Sequence, residues 1–262
     1  MALIETVIIA FITIAVFMNC MFVLALRLRD NSIADVGWGL GFILVAIVTL
    51  GFSGGVGARQ ALVLALVMVW GLRLAVRIYR RNRGKGEDFR YKEWREKWGE
   101  HWRRTAYLFV FVGQGLMMLL ISAPILFVNA FGGPSLGWLD LVGVAVWIVG
   151  FFFEAVGDHQ LDSFLRDPAN KGRVMDKGLW QYTRHPNYFG EVTQWWGIFI
   201  IALSVQWGWA AVIGPVTITS LILFYSGIPL LEKSMMEKPE YREYASRTSM
   251  FIPWFPKSKQ SS

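Results

Sequence analysis

Residues 6–26 read TVIIAFITIAVFMNCMFVLAL, a run without a single charged side chain. A helix rises about 1.5 Å per residue, so about 20 apolar residues cross the roughly 30 Å hydrocarbon core of a bilayer. This stretch predicts a transmembrane helix. It therefore predicts the class of the whole chain, an integral membrane protein.

Further apolar runs follow at residues 36–52 and 61–76. Residues 105–139 are also uncharged, but Gly132, Gly133 and Pro134 interrupt them, so they begin two spans, the second of which ends at residue 153. The uncharged tract 192–231 is too long for one crossing and is broken near Gln206. The pattern predicts an all-α protein with seven transmembrane helices.

Composition agrees with this class, because 55% of the 262 residues are hydrophobic and only 17% are charged. Seven crossings place all but one of the 26 Lys and Arg residues on one side, the exception being Arg59. By the positive-inside rule the N-terminus is expected outside and the C-terminus in the cytoplasm. The net charge of +7 is then an orientation signal, which disfavours nucleic-acid binding. One cysteine and three histidines predict neither a disulfide nor a metal site.

The long polar segments all fall on the predicted cytoplasmic side, at residues 77–104, 154–191 and 231–262. We expect one membrane-embedded domain over residues 1–262, with substrate-side helices in residues 1–76 and cofactor binding in those three segments. The alternative is a basic belt that attracts anionic lipid headgroups. The spacing of residues inside the segments bears on this choice.

The first informative string is RNRGKGEDFRY, residues 81–91. Its glycines allow a close backbone approach, and its cationic side chains surround them, as in a cradle for an anion. The string is neither a Walker loop nor a GxGxxG fingerprint.

The second string is GLWQYTRHPNYFGE, residues 178–191, which runs directly into the sixth predicted span. Proline is favoured in the first turn of a helix, so Pro186 predicts a helix start whose free amides attract an anion beside Arg184 and His185. Two structural alternatives stay open: Glu191 pairs with an arginine at the membrane boundary, or His185 is a satisfied loop residue.

A polar pair, Asn31 and Asp35, stands at the start of the second span. A spacing of four puts both on one helix face. A buried, neutral Asp35 would donate a hydrogen bond to a ketone oxygen and stabilise an enolate. The alternative is that Asp35 is the N-cap of the second span.

The run from Gly178 to Glu191 and the loop around residues 82–85 together resemble the steroid 5-alpha-reductase family, in a bacterial member. The resemblance implies an NADPH-dependent membrane reductase of a carbon–carbon double bond conjugated to a ketone, located in the bacterial inner membrane. It also implies catalysis by Asp35 and Asn31, with Trp70 or Gly71 standing where the family has a tyrosine. Glu154, Gln160 and Tyr241 are weaker carry-overs around the nucleotide. The remaining implied cofactor residues are Arg81, Asn82, Arg83, Lys85, Asp88, Arg90, Tyr91, Asp158, Arg166, Arg173, Tyr182, Arg184, His185, Asn187, Tyr188, Glu191 and Tyr244.

Two other classes remain open. Arg184-His185-Pro186-x-Tyr188 also resembles membrane methyltransferases that use S-adenosylmethionine on isoprenylcysteine carboxylates or phospholipid amines. The arginine-rich loops favour NADPH, because a sulfonium methyl donor carries no phosphate. The last class is a lipid-binding scaffold, for which Asp35→Ala and Arg184→Ala would leave function unchanged. The expected partners are a lipophilic small molecule and membrane lipid, with no obligate protein partner.

Overall fold

A computed structural model describes residues 2–133 and 135–257, and this part of the chain is helical with no β-strand. Its α-helices, in chain order, are α1 Leu3–Leu28, α2 Ile33–Gly51, α3 Ala58–Asn82, α4 Phe89–Trp98, α5 Trp102–Ala106, α6 Gly113–Ile121, α7 Ala123–Phe131, α8 Trp138–Arg166, α9 Pro186–Ala202, α10 Ile213–Ser220, α11 Ile228–Met235 and α12 Pro239–Arg247. Two π-helical turns, Tyr107–Val112 and Leu221–Tyr225, interrupt the series. The all-α prediction is confirmed.

Six segments of the described residues are long and apolar enough to cross a membrane. They are Leu3–Leu28, Ile33–Gly51, Ala58–Asn82, Phe89–Ile121, Trp138–Arg166 and Gly208–Met235. These six segments make the chain an integral membrane protein. The sixth predicted span corresponds to α9, a helix of 17 residues and therefore about 26 Å long. Seven crossings and the orientation of the termini stay predictions.

The fourth predicted span begins within a longer helical segment, Phe89–Ile121, whose first helix, α4, is charged. The helical segment begins at Phe89, well before Thr105, and is followed by α7, which has Pro124 in its first turn. Proline is tolerated there because its missing N–H has no helical partner to lose. The predicted interruption near Gly132 is confirmed, because α7 ends at Phe131; Pro134 lies outside the described residues.

The described residues divide into two compact units. The first comprises residues 2–140 and 201–214, and the second comprises residues 141–200 and 215–257. In the first unit, α2 and α3 cross so closely that a Cβ on Gly39 would lie 2.5 Å from the carbonyl oxygen of Gly71. In the second, a Cβ on Gly190 of α9 would lie 2.5 Å from the carbonyl oxygen of Gly150 on α8. Small residues at these crossings let the helix backbones touch.

Candidate active site

The first polar cluster surrounds Asp35, in the first turn of α2. Its two carboxylate oxygens have different donors: the Tyr91 hydroxyl donates to Oδ1 at 2.6 Å, and Arg90 Nη2 donates to Oδ2 at 2.9 Å. Both donors are on α4, which follows the glycine-containing loop. The structure therefore joins the predicted catalytic acid to the string predicted to bind an anion.

Asp88 positions these two donors because it is the N-cap of α4. Its Oδ1 accepts from the backbone N–H of Arg90 at 3.1 Å and from Arg90 Nε at 3.0 Å. Burial alone would raise the pKa of Asp88, but the hydrogen bonds and charge of Arg90 outweigh it, and the pKa lies below its ordinary value. The preceding Gly84 and Gly86 have φ of 78° and 74°, a region that favours glycine.

The cofactor-binding role expected of Tyr91 stays a prediction, and the structure places the residue beside Asp35. The side chain is 4% exposed, and its ring belongs to an apolar cluster with Ala25, Ala34 and Phe111. Its hydroxyl reaches out of this cluster to Asp35. A phenol therefore lies beside Asp35, on α4 and not on the third span, where the resemblance places the family's tyrosine.

Asn31 does not share a helix face with Asp35, so that prediction is wrong. Ser32 is the N-cap of α2, which begins at Ile33 and leaves Asn31 in the preceding turn. The alternative that Asp35 caps α2 is wrong for the same reason. The Asn31 backbone N–H donates to Glu87 Oε1 at 2.9 Å, and Arg95 Nη2 donates to the same oxygen at 2.7 Å.

The Asn31 side chain is only 1% exposed, and within residues 2–133 and 135–257 its Oδ1 has no hydrogen-bond donor. Buried acceptors are nearly always satisfied, so this atom marks a place where a ligand donor would fit. Asn31 therefore stays a candidate catalytic residue. Its position is fixed by the hydrogen bond to Glu87, because the residue lies outside α2.

Trp70 lies in the helix core. It is 2% exposed, and its ring meets Phe42 edge-on at 5.6 Å between centroids. The neighbouring Gly71 is at the crossing with α2. These contacts account for both residues as packing, while the predicted catalytic role of Trp70 stays untested.

The second polar cluster lies in the other unit and centres on Glu232 of α11, which sequence reasoning missed. Its Oε1 accepts from Arg184 Nε at 3.0 Å and from the Tyr241 hydroxyl at 2.7 Å, and lies 2.8 Å from His185 Nε2. Arg184 Nη1 also donates to the carbonyl oxygen of Ala245 at 2.9 Å. The only sequence signal for Glu232 was its position as the acid that ends the long uncharged tract.

These contacts hold Arg184 and His185 in place just before α9. α9 begins at Pro186, as predicted. The C-terminal segment after α12 packs along the residues that precede α9. Arg184 N donates to the carbonyl oxygen of Ser249 at 2.9 Å, and Trp254 N donates to the carbonyl oxygen of Tyr182 at 2.9 Å. His185 is 4% exposed and partnered, in agreement with the structural alternative.

Tyr241 and Tyr244, which the resemblance places around the nucleotide, both form hydrogen bonds within the chain. Burial, then the hydrogen bond to Glu232, raises the pKa of Tyr241. Burial likewise raises the pKa of Tyr244, whose hydroxyl donates to the carbonyl oxygen of Trp180. Gln160 accepts from the backbone N–H of Leu179 at 2.9 Å, and Glu154 accepts from Gln194.

The remaining predicted cofactor residues divide by exposure. Five cations are exposed: Arg81, Arg83, Lys85, Arg166 and Arg173. Asn82, Tyr182, Asn187, Tyr188 and Glu191 are half-buried, and Asp158 is buried. Arg81 donates to Asn82 Oδ1 at 3.2 Å, and Arg166 donates to the carbonyl oxygen of Asp162 at 3.0 Å. That the residues of both units bind one cofactor stays a prediction.

Apolar spanning helices and a polar cluster at the start of one of them define a polytopic helical membrane protein with a candidate active site. The family model described as "Protein of unknown function (DUF1295)" matches residues 21–248, so the chain belongs to that family. The resemblance to the steroid 5-alpha-reductase family is confirmed by the relatives.

The 3-oxo-5-alpha-steroid 4-dehydrogenase 1 of Bos taurus is 38% identical over 78 residues, which cover 28% of this chain and 30% of the relative. The steroid 5-alpha-reductase of Arabidopsis thaliana is 30% identical over 76 residues, 29% of this chain and 27% of the relative. Methanethiol S-methyltransferase 1 of Bradyrhizobium diazoefficiens is 32% identical over 121 residues, 45% of this chain and 39% of the relative. Each match thus spans less than half of the relative. No solved structure is significantly similar to the chain.

Proposed function

We propose that this protein is an NADPH-dependent membrane reductase that reduces the C=C bond of a lipophilic enone such as a 3-oxo-Δ4 steroid. The observation that carries the proposal is the Asp35–Tyr91 hydrogen bond of 2.6 Å, with Arg90 on the other carboxylate oxygen. The confirmed family resemblance supports a membrane reductase.

The cluster has the chemistry that enone reduction requires. A proton lies between the Tyr91 hydroxyl and Asp35, and the ketone oxygen of a bound enone would share it, which withdraws electrons from the double bond. Negative charge develops on that oxygen as the enolate forms, and the shared proton offsets it, while the Arg90 guanidinium balances the charge of the Asp35 carboxylate. Asp35 polarises the carbonyl through Tyr91: it orients the hydroxyl whose proton the ketone oxygen would share. After hydride addition at the beta carbon, a proton from solvent would complete the reduction at the alpha carbon.

The loop before α4 fits a polyphosphate by its donor set. Arg81, Arg83 and Lys85 are exposed, and a Cβ on Gly84 or Gly86 would meet nothing within 4 Å, so the backbone is open to a ligand. NADPH carries about four negative charges on its phosphates, which Arg and Lys donors match. When bound it supplies the hydride that is added to the beta carbon. In the second unit, the exposed Arg166 and Arg173 are the candidate phosphate donors.

We also propose seven crossings with the N-terminus outside and the C-terminus in the cytoplasm of a bacterial inner membrane. The distribution of Lys and Arg supports this orientation. In this arrangement the lipophilic substrate enters from the bilayer and NADPH enters from the cytoplasm.

A second candidate is an S-adenosylmethionine-dependent methyltransferase of the isoprenylcysteine or phospholipid type. The relative named methanethiol S-methyltransferase 1 supports it, since that match covers 45% of this chain. The Arg184-His185-Pro186-x-Tyr188 string supports it too. The exposed cations of the loop before α4 favour the phosphate-bearing cofactor.

The test is a product assay with purified protein and a 3-oxo-Δ4 steroid. One arm contains NADPH deuterated at the transferable position, and the other contains S-adenosylmethionine labelled in its methyl group, with methanethiol and a phospholipid amine as acceptors. We expect a deuterated, saturated ketone in the first arm and no methylated product in the second. Labelled methyl transfer without enone reduction would overturn the proposal. As a control, the variant Arg27→Gln, which removes an exposed cation of α1, should give the same products as the wild type.

A further inference from the structure

A cleft of about 440 Å³ opens in the first unit, at the C-terminal end of α1. Three arginines, one tryptophan and one leucine line it: Leu26, Arg29, Arg95, Trp102 and Arg103. No carboxylate is among these lining residues. None of these lining residues belongs to the Asp35 cluster or to the loop proposed to bind NADPH.

The arginines are arranged around the Trp102 ring. The Arg95 guanidinium lies 4.0 Å from the ring centroid, and that of Arg103 lies 5.6 Å from it. Arg95 is fixed there because Glu87 accepts from its Nε at 3.0 Å and its Nη2 at 2.7 Å. One guanidinium is thus held rigidly against the wall of the cleft, and the other two are exposed at its edge.

Arg29 has an unusual backbone. It follows the last residue of α1 with φ 55° and ψ 37°, the left-handed conformation that glycine adopts most easily. A long charged residue there costs stability that glycine would not, and such outliers are found at functional positions. The acid next to it, Asp30, accepts from the backbone N–H of Ser32 at 2.8 Å and also from the Ser32 hydroxyl. Within the described residues no carboxylate pairs with Arg29 or Arg103.

The surroundings of the cleft are apolar on the side of the spanning helices. Only 17% of the apolar window of α1 is buried within the chain. Val23 and Leu28, within three residues of the lining Leu26, are 48% and 57% exposed. Phe109, on the π-helical turn that directly follows α5, is 73% exposed. A charged cleft at the end of such a helix lies at the level where lipid headgroups meet the hydrocarbon.

We propose that this cleft binds the phosphate of an anionic glycerophospholipid, with Arg29 and Arg103 as its donors and Arg95 as the fixed wall. The acyl chains lie along the exposed apolar face of α1. The occupant is a lipid rather than a soluble anion, because the cleft opens beside apolar surface that a free phosphate would not cover. This inference does not depend on the proposed reductase activity.

Lipid binding at this position also bears on the Asp35 cluster. Arg95 is joined through Glu87 to the backbone N–H of Asn31, which lies four residues before Asp35. A lipid packed against Arg95 would shield its contact with Glu87, which holds the turn that precedes α2.

The test is native mass spectrometry of the full-length protein, with phosphatidylglycerol and phosphatidylcholine titrated in detergent. The test variant is Arg29→Gln/Arg103→Gln. The matched control is Arg27→Gln/Arg104→Gln, which removes the same net charge from exposed positions that do not line the cleft. We expect the wild type and the control to bind phosphatidylglycerol about tenfold more tightly than phosphatidylcholine, and the test variant to lose this preference.

Equal losses in both double variants would show a diffuse basic belt and would overturn the proposal. Equal binding of the two lipids by the wild type would overturn it as well. Inorganic phosphate is added as a competitor at millimolar concentration. Displacement of the lipid by phosphate would assign the cleft to a soluble anion, and retention of the lipid supports the lipid site.

Discussion

Two arginine–aspartate pairs in the first unit differ in how completely the chain encloses them. Arg59 and Asp140 have side chains that are 8% and 1% exposed, whereas those of Arg90 and Asp35 are 31% and 18% exposed. In the enclosed pair, Arg59 donates to both carboxylate oxygens, at 2.8 Å and 2.9 Å. In the open pair, Arg90 donates to one carboxylate oxygen of Asp35, and the Tyr91 hydroxyl donates to the other.

The neighbours of the two pairs extend the contrast. Around the enclosed pair, Arg59 Nη2 also donates to the carbonyl oxygen of Ser135 at 2.9 Å, and Gly137 N donates to Asp140 Oδ2 at 2.6 Å. Beside the open pair, Asn31 keeps a buried acceptor without a donor. An enclosed pair whose hydrogen bonds are all satisfied stabilises the fold. A partly exposed pair beside an unsatisfied acceptor is suited to binding a ligand.

Breaking the enclosed pair should give the largest effect, on stability. Arg59→Met leaves the Asp140 carboxylate buried without its partner, which costs about 3–5 kcal/mol. Thermal unfolding in detergent measures the loss. The double variant Arg59→Met/Asp140→Leu should recover most of the stability, because no charge is left buried. A single variant that melts like the wild type would contradict the structural role.

Removing the phenol from the open pair should give a large effect on activity. Tyr91→Phe keeps the ring in its apolar cluster and removes the hydroxyl that donates to Asp35. We expect kcat for enone reduction to fall by about 10²-fold, while the loss of one hydrogen bond costs only about 1 kcal/mol of stability. Steady-state kinetics and circular dichroism on the same sample measure the two quantities. Activity within twofold of the wild type would exclude Tyr91 from the chemistry.

Weakening the Glu87–Arg95 ion pair, which holds the loop beside the open pair, should have a moderate effect on the rate of proteolysis. Glu87→Gln removes the charge that Arg95 binds, so the loop before α4 opens more often. We expect trypsin to cleave at Arg83 or Lys85 about tenfold faster, as for a local loss of about 1.4 kcal/mol. Glu96→Gln, an exposed position of α4, is the control and should leave the cleavage rate unchanged. Equal rates in all three proteins would show that Glu87 does not hold the loop.

The smallest effect is expected at the cap of α4, and it depends on pH. The pKa of Asp88 is lowered in the folded protein, so its stabilisation is present above the unfolded pKa, about 3.9, and is lost as pH falls through the lower folded value. Asp88→Asn keeps a good N-cap but has no charge to titrate. Melting temperatures from pH 6 to pH 3 should fall less steeply for the variant than for the wild type, and parallel curves would contradict the assignment.

The sequence predicts the helices well because length and hydropathy determine whether a segment can cross a bilayer. It also predicts the start of α9, since proline has a local preference for that position. It does not predict α4, because this charged helix has no apolar run and its position depends on contacts with distant residues.

The candidate site is harder to predict because its contacts join distant residues. Asp35 was found by its position in an apolar run, yet its partner Tyr91 is 56 positions away, and no local pattern links them. The same holds for Glu232 and Arg184, which are separated by 48 positions. The helix-face argument for Asn31 failed because the turn before α2 ends only at Ser32.

The most direct test of the account is the rate of hydride transfer in a single turnover, with NADPH and a lipophilic enone premixed with Asp35→Asn or with Asp140→Asn. We expect a rate about 10²–10³ times slower in Asp35→Asn at an unchanged NADPH dissociation constant, and a near-normal rate per folded molecule in Asp140→Asn. An unchanged rate in Asp35→Asn, or an equal loss in both variants, would contradict the claim that the open pair polarises the substrate carbonyl.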